Sequence, residues 1–347
     1  MRIYNLVLIG FGNVGQGLVQ IIQDQSQDLA SQHGVAFRIT AVCDLLKGSV
    51  FNPEGILPAD LLQTVAQGKS LDQISAPHHG WDALRTINEC GADVLCEMSY
   101  TDLKTGQPAI QHVEAALKAG MHVVTTNKGP IALRYPQLAN LARENHVELG
   151  VEGTVMSGTP ALRLGIDLLA AAGIYRIQGI FNGTTNYILT RMAAGDNYAD
   201  ALAEAQRLGF AEADPTGDVE GFDAAGKVVI MASLLMGTQI TMQDVDRQGI
   251  TTLTSQDIQE AESQGLRWKL IGSLEKSSGK LAASVKPTRV AQTHPLAGVS
   301  GATNAITYST DLLGDVTLIG PGAGRLETGY ALIGDLLAIH RAQFARE

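Results

Sequence analysis

The feature that most constrains this chain is a glycine turn near its start. Tyr4–Ile9 is a short apolar run of the kind that makes a buried parallel strand. It passes straight into Gly10-Phe11-Gly12-Asn13-Val14-Gly15, and an amphipathic stretch from Val14 to about Ala30 follows. Strand, GxGxxG and helix in that order have a mechanical meaning. The first glycine permits the tight turn, the second lets backbone approach a pyrophosphate, and the third allows close helix–strand packing. The helix N-terminus then faces the anion. The context, more than the three glycines, makes this a dinucleotide-binding turn. A second strand, Phe37–Cys43, leads to Asp44, whose carboxylate can accept the ribose hydroxyls of NAD. That acid comes later than the usual ~20 residues because the first crossover is long. Lys47 follows and can pair with a 2′-phosphate, so NAD and NADP both stay open.

Beyond the turn, short apolar strands alternate with helices. Strands are expected at Asp93–Cys96, His122–Thr125 and Val147–Val151, and helices at Asp82–Glu89, Pro108–Ala119 and Pro136–Asn145. The polar region from Phe51 to Gly80 is read as loop with one short helix near Ala59–Gln67. This alternation is the signature of a doubly wound parallel sheet. The pattern then changes. Helices are expected at Thr159–Ala172, Tyr187–Ala194, Tyr198–Leu208 and Phe222–Met236. Strands are expected at Ile174–Asn182, Leu266–Leu274, Leu281–Val290, Ala305–Ser309 and Val316–Ile319, and a glycine turn at Gly320–Gly324 opens a last helix. The fold class is therefore α/β: an N-terminal Rossmann-type doubly wound parallel sheet plus a second α+β domain. Residues 1–155, closed by 320–347, would form the dinucleotide domain, and 156–319 the domain for substrate and dimerisation.

Composition removes several functions. A formal charge of -10 spread along the chain argues against a nucleic-acid partner. The apolar run near Leu168–Ile174 is far shorter than the ~20 residues that span a bilayer, so no membrane partner is expected. No secretory leader precedes the first strand, and a cytoplasmic protein is expected. Cys43, Cys90 and Cys96 lie in apolar surroundings without a CxxC pair and read as buried reduced thiols.

Two constellations carry chemistry. Thr125-Thr126-Asn127-Lys128-Gly129-Pro130 follows a strand at its C-terminal end, the edge where open α/β sheets bind ligands. Lys128 can there hold an anion, orient a hydroxyl or relay a proton. Further on, Glu212, Asp214, Asp218, Glu220 and Asp223 crowd together, and Lys227 follows Asp223 at i+4 on a mostly apolar helix. A lysine on a buried helix needs a partner or a task, and the acids suit an ammonium ligand. Asn182-Gly183-Thr184-Thr185-Asn186 joins a strand to a helix with small hydrogen-bonding residues, and Gly320-Pro321-Gly322-Ala323-Gly324 makes a second glycine-rich helix start.

Taken in order, GFGNVG, TTNKGP, NGTTNYIL, LGFAEADPTGDVEGFDAAGK, HPLAGVSGATNAI and GPGAG resemble the homoserine dehydrogenases over nearly the whole chain. The resemblance implies NAD(P)-linked interconversion of L-homoserine and L-aspartate 4-semialdehyde by a homodimer. It implies catalytic roles for Lys227 and Lys128. It implies substrate contacts from Glu212, Asp223, Asp218, Gly183 and Thr184. Cofactor contacts would come from Gly10–Gly15, Asp44, Lys47, Ser99, Thr126, Lys128 and Gly322. It also implies a monovalent cation, Na+ or K+, at Glu152, Val155, Ser157 and Thr159. The sequence departs from the family there, with bulky Met156 where many members have only small residues. Phe210 stands where some members carry an aromatic hydroxyl. The chain ends after the closing helix, so the amino-acid-sensing domain of some members is not expected. Two alternatives stand beside this reading: a related dehydrogenase for a different hydroxy acid, and a non-catalytic NAD(P) sensor. Retention of both lysines speaks against the sensor.

Overall fold

The computed structural model describes residues 1–344, and among them the chain forms two compact units. Met1–Gly158 joins the C-terminal segment from Gly324 in the first, and Thr159–Ala323 is the second.

In the first unit, β1 (Arg2–Ile9) runs into α1 (Asn13–Asp24) and α2 (Ser26–His33). Then come β2 (Val35–Asp44), β3 (Gly48–Phe51), α3 (Pro58–Ala66), β4 (His78–His79), α4 (Ala83–Glu89) and β5 (Val94–Glu97). The unit continues through α5 (Ala109–Lys118), β6 (His122–Thr125), α6 (Lys128–Glu144) and β7 (Leu149–Gly150). The strand order is β4-β3-β2-β1-β5-β6-β7, parallel from β2 to β7. Because side chains alternate along a strand, Leu6 and Leu8 of β1 enter one core while Val7 and Ile9 enter the other. The sheet is thus buried on both faces, as parallel sheets are. The chain lays β2 on one side of β1 and then crosses to β5 on the other. The glycine turn after β1 therefore sits at the topological switch point, where such sheets bind ligands.

The closing helix, Arg325–Phe344, packs on α1 through two glycines. A Cβ on Gly17 would fall 2.0 Å from the Arg325 carbonyl oxygen, and one on Gly329 would fall 2.6 Å from the Leu18 nitrogen. Only glycine lets the two backbones approach so closely.

Several elements differ from the sequence reading. The helix read as continuous from Val14 breaks at Gln25, after which the apolar stripe gives way to polar residues. Two short strands at and within the polar region read as loop extend the sheet, β3 pairing antiparallel with β2 and β4 antiparallel with β3. The α6 helix starts at Lys128 rather than Pro136, with Pro136 inside it. A proline costs a mid-helix hydrogen bond, but the Asn127 cap and buried Gly129, Pro130 and Ile131 anchor the turns before it.

The second unit opens with α7 (Ala161–Arg163), a single α-turn that passes into a π-helical turn at Leu164–Leu168. A regular helix was expected over Thr159–Ala172. Gly165 lies where a Cβ would meet Leu235 at 2.7 Å, so the turn is pressed against its neighbour. Then follow β8 (Ile174–Ile180), α8 (Gly183–Ala193), α9 (Tyr198–Arg207), α10 (Thr216–Val219) and α11 (Phe222–Met236). After them come β9 (Asp246–Arg247), α12 (Ser255–Ser263), β10 (Leu266–Ser277), β11 (Lys280–Ala291), β12 (Thr303–Thr310) and β13 (Gly314–Pro321). The sheet order is β13-β12-β8-β10-β11-β9, antiparallel except for β9 on β11. The sequence reading grouped residues 320–323 with the closing helix. In the structure they belong to the second unit, because Gly320 and Pro321 pair with Asn304 and Thr303. Cys90 and Cys96 are buried free thiols, whereas Cys43 is half-buried. Among the described residues no helix is long and apolar enough to cross a membrane.

Candidate active site

In the first unit the three glycines of the turn differ in what surrounds them. Gly10 has φ +93°, and a Cβ there would fall 2.5 Å from the Met98 carbonyl oxygen. A Cβ on Gly15 would fall 2.7 Å from the Gly10 carbonyl oxygen. A Cβ on Gly12 would meet nothing within 4 Å. This glycine is the N-cap of α1, with no side-chain cap and no acid in the first turn. The N–H groups of that turn, at Asn13, Val14 and Gly15, form an open positive end suited to a phosphate.

Asp44, at the end of β2, braces this turn. Its Oδ2 accepts from Phe11 N at 2.7 Å, and its Oδ1 accepts from Leu46 N and Lys47 N, both at 3.0 Å. Burial alone would raise this carboxyl. The three backbone bonds and the Lys47 charge outweigh it and hold the group below the usual carboxylate range. Both oxygens are therefore already engaged, which leaves less capacity for two ribose hydroxyls than the sequence reading gave Asp44. Lys47 Nζ lies 3.7 Å from Asp44 Oδ1. Leu45 and Leu46 are 98% and 88% exposed, making an apolar lip beside the acid.

At the neighbouring strand ends, Glu97 closes β5 and is fully buried. Its Oε1 accepts from both the hydroxyl and the N–H of Ser99 and lies 3.4 Å from His112 Nδ1. Asn127 accepts from Gly129 N at 3.1 Å and donates to the Ser99 and Tyr100 carbonyls at 3.1 and 3.2 Å. One side chain thus caps α6, whose first residue is half-buried Lys128, and ties down the Ser99 loop. Thr126, also half-buried, follows β6 and packs against Gly153, where a Cβ would come within 2.5 Å of its methyl group.

The residues read as a cation site are divided. Glu152, Val155 and Ser157 lie buried in the first unit, and Thr159 begins the second. Ser157 has φ +55° and exchanges a 2.7 Å hydrogen bond with Thr328. Thr159 Oγ1 donates to the Pro321 carbonyl at 2.9 Å. The bulk of Met156 is wholly absorbed in the interior. Among the described residues no cluster of three or more His, Cys, Asp or Glu suits a metal ion.

In the second unit the structure gathers Asn182, Asp218, Asp223 and Lys227. Lys227 is 6% exposed. Its ammonium donates to Asp223 Oδ2 at 2.8 Å and to the Phe181 carbonyl at 2.5 Å. Asn182 caps α8 by accepting from Thr185 N at 2.9 Å. Its amide also donates to Asp218 Oδ1 at 2.7 Å and to Asp223 Oδ2 at 3.1 Å. One asparagine thus bridges two carboxylates and fixes the helix beside them. Burial pushes the Asp218 carboxyl up, the Asn182 bond opposes this, and the nearby Asp223 charge adds to the rise. Thr184 Oγ1 donates to the Phe210 carbonyl at 2.5 Å. Gly183 is required because a Cβ would fall 2.6 Å from the Ala302 carbonyl oxygen.

Of the acids read together, Glu212 is exposed, and its backbone carbonyl accepts from the Gln206 amide. Glu220 accepts from Thr251, and Asp214 accepts from Thr216 N. These three stand outside the cluster in this structure. Phe210 packs at a tilt against Tyr187, ring centroids 5.0 Å apart, so a ring occupies that place without a hydroxyl. Gly322 packs on Asn304, where a Cβ would lie 2.1 Å from the amide carbon. The Asn304 side chain is fully buried, and neither polar atom has a hydrogen-bond partner among the described residues. Glu97 and Asn304 are not singled out by the sequence, and Asn182 is named there only as part of a hydrogen-bonding strand-to-helix segment, not as a bridge between two carboxylates. Asn182 carries the only local signal, as a capping residue before a helix.

An open helix N-terminus at the switch point of a parallel sheet, with a buried lysine–carboxylate cluster in a second unit, defines an α/β dinucleotide-binding protein. The family models for homoserine dehydrogenase and for its NAD binding domain match residues 160–337 and 10–152. An NAD(+)-dependent homoserine dehydrogenase from Pseudomonas canavaninivorans is 45% identical over 99% of this chain and 97% of its own length. A homoserine dehydrogenase from Methanocaldococcus jannaschii is 36% identical over 97% of this chain and 99% of its own. The structure of a hyperthermophilic archaeal homoserine dehydrogenase mutant in complex with NADPH aligns with TM-score 0.84 at 29% identity, covering 98% of each chain. The chain belongs to the homoserine dehydrogenase family.

Proposed function

We propose that this chain interconverts L-homoserine and L-aspartate 4-semialdehyde by NAD(P)-linked hydride transfer, a step of threonine and methionine biosynthesis. The observation that carries the reading is the buried Lys227, which uses two of its three N–H donors on Asp223 and Phe181 and keeps one for a substrate oxygen. When bound, the dinucleotide accepts or supplies the hydride. The pyrophosphate sits on Gly10–Gly15, with Ser99, Thr126 and Lys128 at the same sheet edge, Asp44 and Lys47 toward the adenosine, and Gly322 toward the nicotinamide. A neutral Lys227 takes the hydroxyl proton during oxidation, and the protonated form polarises the aldehyde and returns the proton during reduction. Such general acid–base help is worth ~10²–10⁴-fold. Lys128 positions the substrate and shares the proton work. Asp218 and Asp223 face the substrate ammonium, with Gly183 and Thr184 forming the adjoining loop. Glu212, exposed on the neighbouring segment, is assigned to the same ammonium.

The assembly is a cytoplasmic homodimer. Edge strand β13 exposes Ile319, and the turn before it exposes Leu312 and Leu313, surface that a second copy would cover. A monovalent cation, Na+ or K+, is held by the backbone near Glu152, Val155, Ser157 and Thr159. Glu152 is buried there, and carboxylate and carbonyl oxygens suit a hard ion.

A substrate panel tests the assignment. L-homoserine should give the highest kcat/KM among small hydroxy acids and amino alcohols, with NAD and NADP run in parallel. A higher kcat/KM for a hydroxy acid lacking the amino group would replace this reading with the neighbouring one.

A further inference from the structure

The second unit contains a cavity of about 300 Å³ among α8, α12, β10 and the turn at 297–300. Thr190, Glu262, Arg267, Trp268, Lys269 and Ser300 line it, none of them part of the Asn182–Asp218–Asp223–Lys227 cluster. Its unusual wall is Lys269, 4% exposed. The ammonium donates to Asn186 Oδ1 at 2.9 Å and to the Val299 carbonyl. Both acceptors are neutral and firmly held, since the Asn186 amide itself donates to the Gly301 and Thr303 carbonyls at 3.0 and 3.1 Å. An ammonium has three donors, so one remains.

Among the described residues no carboxylate is bonded to Lys269. Glu262, on the same wall, pairs through one oxygen with Arg267 at 2.9 Å. Burial, with the Arg267 charge adding, holds the Lys269 amine down to about 8, so at neutral pH most of it is still a cation. Buried charges are ordinarily paired. This one lacks a counter-ion and borders a space large enough for a small molecule.

We propose that this cavity binds a small carboxylate anion, with Lys269 as its counter-charge and Arg267 and Ser300 as further donors. The shared chemistry is the carboxylate. A simple organic acid supplies it alone, whereas an amino acid adds an ammonium that Glu262 can receive. A charge-assisted bond to Lys269 would favour the protonated amine and raise its pKa toward the ordinary lysine value.

The test reads that rise on the whole protein. Cyanate carbamoylates a neutral amine: the nitrogen attacks the carbon of isocyanic acid, and the amine proton passes to the cyanate nitrogen to give a urea. Mass spectrometry follows the modification at Lys269 near the amine's own pKa, with acetate, glycine or chloride at matched ionic strength. A rise of about one pKa unit would slow the reaction up to about tenfold. The proposal predicts slowing, together with a rise in Tm, under acetate, glycine or both. Protection by glycine alone assigns an amino acid, and protection by acetate assigns a simple carboxylate. The Tm rise should vanish in Lys269→Met. Because that variant leaves buried acceptors unpaired, Ala193→Phe, which fills the cavity from α8, provides a second check and should abolish both effects. Equal protection by chloride, no protection by either carboxylate, or full protection in Ala193→Phe would overturn the proposal.

Discussion

Asp218 shows how one residue divides stability from function. Its folded pKa is raised by burial, so its contribution to stability is fully present below the ordinary aspartate value of 3.8 and is lost as pH rises through the folded value. Above that folded value the ionised group is held in a setting that disfavours its charge. Asp218→Asn keeps an oxygen for the Asn182 amide while removing that charge. It should raise Tm at pH 7, lose the advantage below the ordinary aspartate range, and weaken homoserine binding through KM. Thermal melts across that pH window check the sign, and a lower Tm at pH 7 would show that the carboxylate is held by more than these contacts. The presence of Asp218, Asp223 and Lys227 was legible in the sequence as an acid-rich helix entry. Which acids meet was not. Five carboxylates share the segment, and only the chain path through α10 and α11 turns Asp218 and Asp223 toward Asn182, far earlier in sequence. Glu212 looked equivalent on paper and stands exposed.

At the scale of elements, α1 carries two kinds of glycine. Gly17→Ala would drive a Cβ into the Arg325 carbonyl of the closing helix, and strain of this kind typically costs ~1–3 kcal/mol. Gly12→Ala meets nothing within 4 Å and has an ordinary φ of -75°, so the folded protein should tolerate it. Its methyl group stands at the helix end proposed for the pyrophosphate, so dinucleotide affinity should fall while Tm holds. The opposite pattern, with Gly12→Ala unstable and binding normally, would mean that the turn is structural only. The helices with regular apolar spacing were readable, and Phe222–Met236 appears with its expected bounds. Those set by packing were not. The π-helical turn after Arg163 depends on Gly165 against Leu235, and the early start of α6 depends on the Asn127 cap and burial.

For the whole molecule, the parallel sheet with its turn at the switch point and the mostly antiparallel second sheet follow the pattern of short apolar runs. The antiparallel strands β3 and β4 escaped it, because two- and four-residue pairings carry little periodic signal. The proton transfer proposed for Lys227 in homoserine oxidation has a direct readout. The direct measurement is L-homoserine-dependent reduction of NAD and of NADP, followed by nicotinamide absorbance, in the wild-type chain and in Lys227→Ala. Turnover with at least one cofactor, a loss of ~10²–10⁴-fold in kcat for the variant, and unchanged dinucleotide affinity are expected. Turnover that survives in Lys227→Ala, or a wild-type chain that binds dinucleotide yet leaves homoserine untouched, would contradict that proposal.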